Sequence, residues 1–170
     1  MRGFTLLESL IYIALFGLIM SGMLSGIWAF TESADRTQTQ AFLETEGNFL
    51  MQKMQYDLQH AKNISEPIGI ATTSELVLTS DGTGSDSDSG TYVELYLADT
   101  ILMRTVGEIS LPLSSNSVTI SDLSFKRAGN GTSPGTTNPE SIATSFQISA
   151  TTSDGQVISQ NFSSIEYLFP

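Results

Sequence analysis

One long stretch without charge restricts the possible folds of this chain more than any other feature. No Asp, Glu, Lys or Arg lies between Glu8 and Glu32, and the residues from Leu10 to Phe30 are almost wholly apolar. About 20 consecutive apolar residues suffice to span a bilayer as a helix. The alternative is a buried core helix, but a Ser/Thr-rich domain this small could hardly enclose a helix that is apolar on every side. We therefore expect this segment to insert into a membrane.

Length and charge exclude several classes of protein. With 170 residues the chain has room for one compact domain at most. Its net charge of −11 repels phosphate backbones and its seven cations are scattered, so we expect no direct contact with nucleic acid. The chain has no cysteine, which excludes disulfides, thiolate metal sites and thiol nucleophiles. We expect no cofactor.

The flanks of the apolar stretch predict its orientation. Arg2 precedes it and the acidic remainder of the chain follows it, while Trp28 and Phe30 suit the outer membrane interface. The N-terminus should then lie inside the cell and the C-terminus outside. The stretch is too long for an ordinary secretory signal, and no Ala-x-Ala cleavage site follows it.

Glu8 is an acid inside the start of the apolar stretch. An ionisable group at such a depth costs about 2.5–3.5 kcal/mol on insertion scales and is by default a functional candidate. Together with its neighbours it forms the sequence Gly3-Phe4-Thr5-Leu6-Leu7-Glu8, directly before the apolar run. This pattern resembles the class III signal of type IV pilins and type II secretion pseudopilins.

The resemblance implies a processing step and a set of partners. Prepilin peptidase should cut between Gly3 and Phe4, removing residues 1–3 as a leader, and N-methylate Phe4. Glu8 should then act in assembly with other pilin or pseudopilin subunits on an inner-membrane assembly platform. The segment Met54–Ile64 is similar to the end of the stalk in minor pseudopilins of the J type and in related minor pilins.

Charge pairing favours the same role for Glu8. Cleavage after Gly3 leaves a cationic amine on Phe4, one helical turn from Glu8, so a carboxylate can pair with a terminal amine at the same membrane depth. The alternative is an interfacial glutamate that extends to the lipid head groups. The apolar stretch also carries rows of small residues, which allow close helix packing in lipid but are also common in membrane helices generally. They are Gly17, Ser21, Gly22, Ser25 and Gly26, with Ala29 continuing one row.

Beyond the apolar stretch, residues 32–64 contain no proline and predict an amphipathic helical stalk, with a possible short break at 33–39. At 100° per residue an aliphatic stripe and an aromatic stripe separate. We expect the aliphatic stripe to pack on a sheet and the aromatic stripe to face neighbouring subunits, although both could equally belong to the core. The aliphatic stripe is Leu43, Leu50, Met54, Leu58 and Ala61, and the aromatic stripe is Phe42, Phe49 and Tyr56.

Residues 65–170 predict a β-rich head. Alternating or β-rich runs occur at 75–79, 92–98, 101–105, 109–113, 118–125, 145–151 and 156–162, with a final apolar run at 165–169. Asp154-Gly155 predicts a hairpin turn, and the phase change after Ile120 predicts a bulge near Asp122. The fold class is therefore α+β, with a long N-terminal helix (4–31 as anchor, 32–64 as stalk) packed on an antiparallel sheet.

Two candidate sites for chemistry are weak. Residues 131–135 match the G-x-S-x-G nucleophile elbow by letter, but Pro134 has no N–H to donate to an oxyanion, so we expect no enzyme activity. Asp81, Asp86 and Asp88 could hold calcium in a flexible loop, but their spacing does not complete an EF-hand. A solvated acidic turn is the better interpretation.

The expected function is that of a structural subunit, minor and located at the tip, of a type II secretion pseudopilus or type IV pilus. It would first be a single-pass protein of the bacterial cytoplasmic membrane and later part of an extracytoplasmic filament. Two alternatives stay open: a subunit of a competence pilus for DNA uptake, and a membrane-tethered extracytoplasmic binding protein.

Overall fold

A computed structural model describes residues 6–68, 72–80, 91–128 and 140–168. Within these residues the first element is helix α1, Leu6–Gln59, and nine strands follow it. These are β1 (Ala61–Glu66), β2 (Thr72–Thr73), β3 (Leu76–Ser80), β4 (Tyr92–Ala98), β5 (Ile101–Val106), β6 (Ile109–Pro112), β7 (Thr119–Ala128), β8 (Glu140–Thr151) and β9 (Val157–Leu168). The predicted α+β class, a long N-terminal helix packed on antiparallel β-structure, is confirmed.

The helix differs from its predicted bounds at two places. It runs through 33–39 without a break, because nothing there interrupts the backbone hydrogen bonds. It ends at Gln59 rather than at residue 64, and Ala61–Glu66 forms β1. In β1 the side chain of Ile64 is buried and the backbone pairs with β3, so tertiary pairing takes over these residues from the helix.

The strands form two antiparallel sheets rather than the single sheet expected. The first has the order β1-β3-β4-β5-β6 and the second the order β2-β7-β8-β9. Two short strands, β1 and β2, were not expected. The other seven strands lie close to their predicted positions, and the apolar run after residue 164 continues β9.

The core of the head lies between the C-terminal part of α1 and the inner faces of both sheets. The chain divides into two compact units between Gln38 and Thr39, and the buried apolar residues among those described belong to the second. The aliphatic stripe supplies the helical side of this core: Leu43, Leu50, Met54 and Leu58 are buried. A Cβ at Gly47 would overlap the ring of Phe162 in β9, so the close approach of helix and sheet requires glycine there.

Both local irregularities predicted in the head are present. Between Ser121 and Ser124, β7 uses one residue more than β8 does over the same interval, and Asp122 has a φ of +52°. This bulge brings Leu123 and Phe125 onto the same buried side as Ile120. At Asp154-Gly155, where Gly155 has a φ of +83°, the chain turns from β8 into β9.

Candidate membrane and assembly segment

The first half of α1 exposes almost all of its apolar side chains. No residue in its most apolar 18-residue window is buried, and the helix is long and apolar enough to cross a membrane. Trp28 and Phe30 are 75% and 77% exposed. Side chains of this size in water oppose folding and favour aggregation, so this part of the helix requires lipid or another protein around it.

Glu8 lies in the first turn of α1, with its side chain outside any protein core. The positive end of the helix dipole favours a carboxylate at this position. Its predicted pairing partner, the amine of Phe4, and the predicted cleavage site after Gly3 lie outside the described residues. The position of Glu8 suits the predicted pairing but does not test it.

The small residues of the apolar segment have no packing role within the described chain. A Cβ added at Gly17, Gly22 or Gly26 would meet nothing within 4 Å, and Ser21 and Ser25 are exposed. Their small size is therefore not needed to accommodate this chain's own side chains. Such rows allow the backbone of a second helix to approach closely in lipid.

The aromatic stripe on the second half of α1 does not belong to the core. Phe42 and Phe49 are exposed, which excludes for them the alternative that both stripes are buried. Tyr56 is half-buried. Its ring contacts that of His60 at 4.2 Å between centroids, and the Nζ of Lys53 lies 4.7 Å from its centroid. That the stripe faces a neighbouring subunit stays a prediction.

A buried ion pair fixes α1 to the first sheet, and the sequence analysis did not find it. Asp57 is buried, and Arg104 of β5 donates Nε and Nη2 to its two carboxylate oxygens at 2.8 and 2.9 Å. Lys53 lies one turn away, with Nζ 3.6 Å from Oδ1. The sequence did contain a sign of this pair, because Asp57 lies between Met54 and Leu58 on the apolar stripe. A charged side chain is buried at such a position only when an opposite charge pairs with it.

Two further contacts hold the same part of the helix. The backbone N–H of Ser115 donates to Glu46 at 2.8 Å on the side of the first sheet. On the other side Gln55 donates Nε2 to Ser164 Oγ at 3.0 Å and to Glu166 at 2.5 Å. Asp57, Glu46 and Gln55 thus bind α1 to both sheets, so the second half of the helix is a structural part of the head.

One carboxyl group on the first sheet, that of Glu94, has a raised pKa. Burial raises the pKa of Glu94 above its ordinary value of 4.5, and a hydrogen bond to Glu75 and repulsion between the two carboxylates raise it further. The weak calcium candidates Asp81, Asp86 and Asp88 lie outside the described residues. Among the residues that are described, no group of three or more potential metal ligands occurs.

Comparison with known families matches the N-terminal part of the chain. The model of the prokaryotic N-terminal methylation motif matches residues 1–24, which include Gly3, Phe4, Glu8 and the start of the apolar segment. Neither curated proteins nor solved structures gave a match to the chain. The motif implies processing by prepilin peptidase and assembly with other pilin subunits, and together with the apolar helix it indicates membrane anchoring.

The match does not distinguish a J-type subunit from others, and pilin-type subunits are in general structural rather than enzymatic. Three features now agree: the motif at residues 1–24, a helix whose first half is apolar and exposed, and an antiparallel β head packed on its second half. Together they support a type IV pilin or pseudopilin family for this chain.

Proposed function

We propose that the chain is a minor, tip-located structural subunit of a type II secretion pseudopilus or type IV pilus. The observation that carries this proposal is the methylation motif at residues 1–24, placed directly on a helix whose apolar side chains are exposed. A helix of this kind can serve first as a membrane anchor and later as part of a filament core, because both environments cover its apolar surface. The minor, tip-located role is supported by the likeness of residues 54–64 to J-type stalks.

The proposed sequence of events starts at the cytoplasmic face of the bacterial inner membrane. Prepilin peptidase cleaves between Gly3 and Phe4 and methylates the new amine of Phe4, while the head lies on the outer side. Glu8 then pairs with the terminal amine of a neighbouring subunit, so that two charges that are costly in lipid become one neutral pair. The rows Gly17, Ser21, Ser25 and Gly22, Gly26 pack against neighbouring helices as the assembly platform extracts the subunit from lipid.

The processing step is tested by intact-mass measurement and N-terminal sequencing of the protein from cells with and without prepilin peptidase. We expect loss of residues 1–3 and one added methyl group on Phe4, only when the peptidase is present. An unprocessed Met1 in both strains contradicts the proposal and supports a membrane-tethered binding protein instead.

The assembly role is tested with Glu8→Ala, and Glu44→Ala serves as the matched control because Glu44 is exposed on the same helix beyond the apolar segment. We expect Glu8→Ala to be processed but to be at least tenfold depleted from sheared filaments, while Glu44→Ala assembles normally. Equal incorporation of both variants contradicts an assembly role for Glu8. Deleting a secretion secretin or the DNA-uptake proteins of the same cell then shows which machine needs the subunit.

A further inference from the structure

A groove runs along the first sheet beside the helix, at the edge formed by β6. Its volume is about 430 Å³, within the range of roughly 300–1,000 Å³ found for ligand clefts. Val106, Leu113 and Pro112 supply apolar walls, and Lys53 and Arg104 lie at the side of the helix. All these residues belong to the head, so the groove is a property of that unit alone.

The outer wall of the groove is unusually apolar for a solvent-exposed strand. Ile109 and Leu111 are 66% and 62% exposed, and they lie on one face because they alternate along β6. In register, Ile109 is opposite Val106 and Leu111 is opposite Arg104, so each exposed side chain borders the groove directly. Among the described residues, none covers the larger part of either side chain.

Strand addition is a poor use of this edge. β6 has four residues and ends at Pro112, which has no N–H to offer to a further strand. An occupant would therefore be held by side-chain contacts in the groove rather than by a backbone ladder. Grooves of this kind suit one face of a helix.

The charge of the groove restricts the occupant further. Lys53 and Arg104 both contact the carboxylate of Asp57, so these three side chains together carry a formal net charge of +1. The whole chain has only 7 Lys and Arg against 18 Asp and Glu, so two of its few cations line this one groove. The matching surface is a helix face with an aromatic side chain and a net charge of −1.

The chain itself carries such a face on α1. Trp28, Glu32 and Asp35 are spaced i, i+4 and i+7, so they lie on one side of the helix. Trp28 is among the most exposed large side chains. Arg36 donates to Glu32 at 2.6 Å, so the segment 28–36 has a net charge of −1. A Trp ring is also the preferred aromatic partner of a Lys ammonium.

We propose that the groove between α1 and β6 receives the Trp28, Glu32 and Asp35 face of α1 from a second copy of this chain. The proposal rests on the assembly function argued above, because it names a contact between neighbouring subunits. Trp28 packs against Ile109 and Leu111, and the formal net positive charge of Lys53, Arg104 and Asp57 attracts the acidic residues of the incoming helix.

The test uses single-cysteine variants of the full chain, which is possible because the natural sequence has no cysteine. Ile109→Cys and Thr31→Cys copies with different tags are produced together in native-host membranes that contain the assembly machinery. A short bis-maleimide is added, and the mixed dimer is quantified on gels. Ser159→Cys, exposed on β9, replaces Ile109→Cys as the control.

We expect mixed dimer from the pair 109 and 31 at fivefold or more above the control pair. Lys53→Gln in the groove copy should lower the yield about threefold, the size of effect typical for one exposed charge pair, and Lys53→Arg should restore it. Since Ile109 is exposed on an edge strand, its replacement leaves the core intact.

Two results overturn the proposal. One is a yield at the control level. The other is that no mixed dimer forms while the cysteine at 109 is protected from water-soluble maleimide or is linked to a different protein. In that case lipid or another subunit fills the groove. A Ser21→Cys pair in the apolar helix reports the assembly function separately. If it cross-links and the groove does not, only the groove proposal fails, and if neither cross-links, both fail.

Discussion

At the scale of single residues, the ion pair between Asp57 and Arg104 decides how α1 is held on the head. We expect Arg104→Ala to lower the free energy of unfolding of the head by about 2–4 kcal/mol, because it leaves a buried carboxylate with only the more distant Lys53 as partner. The measurement is guanidinium unfolding in detergent, followed by the circular dichroism of the β-structure.

Arg36→Ala is the matched control for this variant. It breaks an ion pair of similar length, to Glu32 at 2.6 Å, but on the exposed surface of the helix. Its cost should be about 0–1 kcal/mol. If both variants cost the same, burial of Asp57 does not add to the strength of its pair, and α1 must be held chiefly by apolar packing.

Glu94 predicts a dependence of stability on pH. Its pKa is raised in the folded state, first by burial and then by Glu75, so the folded chain binds a proton more tightly than the unfolded chain. Stability therefore falls as pH rises from about the ordinary value of 4.5 through the raised pKa, and it stays lower above that. At neutral pH the carboxylate of Glu94 is a small destabilising feature.

Replacing Glu94 by Gln should then stabilise the head at pH 7 by less than about 1 kcal/mol, since Glu94 is only partly buried and Glu75 is exposed. The advantage should disappear below pH 4.5, the ordinary value for this group. Urea unfolding at both pH values measures it. Glu108→Gln, in an exposed turn, shows what the loss of any one negative charge does. A gain from Glu94→Gln that persists unchanged at the lower pH contradicts this account.

At the scale of secondary-structure elements, the bulge in β7 depends on one residue with positive φ. Asp122 has a φ of +52°, where a non-glycine residue costs about 1–2 kcal/mol, but Asp and Asn tolerate it better than branched residues. We expect Asp122→Val to destabilise the head by about 1–2 kcal/mol and Asp122→Gly to be neutral or stabilising. The unfolding midpoints of the two variants measure this.

The neighbouring Ser121 provides the control for the bulge, because it lies in the same strand without a positive φ. Ser121 is half-buried and its Oγ donates a long hydrogen bond to Oε1 of Gln147 at 3.4 Å, so Ser121→Val should cost about 0.5 kcal/mol, the low end for one hydrogen bond. If Asp122→Val is as mild as Ser121→Val, the backbone at 122 is not strained. The burial of Leu123 and Phe125 would then need another explanation.

The sequence predicts those elements that are determined by the pattern of neighbouring residues, and it misses those that depend on distant contacts. Strong alternation, as in β4 at Tyr92–Ala98, predicts a strand with its bounds, and a change of phase predicts the bulge at Asp122. In β1 the register shifts twice and only Ile64 is buried, so no alternation is present to detect. β2 has two residues, too few for any pattern.

Which strands pair is decided by contacts between distant residues, and local patterns do not contain this information. The chain passes from β6 in the first sheet to β7 in the second without any corresponding signal in sequence. The residues of the candidate site likewise differ in how far local sequence reveals them. Glu8 and the small residues are visible in sequence because lipid imposes its own simple pattern, whereas Arg104 becomes the partner of Asp57 only through the fold.

At the scale of the whole molecule, the buried core and the exposed apolar surface belong to different parts of the chain. In the part of the chain that the structure describes, every buried apolar residue lies between Leu43 and Ile148, and the largest exposed group of apolar side chains lies between Leu6 and Phe30. The free energy that folds the head therefore arises from residues beyond the apolar segment. The apolar segment itself gains favourable free energy only when lipid or other subunits cover it.

This division predicts that residues 39–170, with an added initiator Met, fold in aqueous buffer. We expect β-type circular dichroism and one cooperative unfolding transition, because the helical residues that complete the core begin at Leu43. The full chain should be monomeric only in detergent or lipid. Leu50→Ala in the shortened chain is the control for native packing and should cost about 2–5 kcal/mol, since Leu50 is fully buried. A shortened chain without a cooperative transition would show that the first half of α1 stabilises the head. A full chain that is monomeric in plain buffer would show that this half is not primarily a surface for lipid and neighbouring subunits.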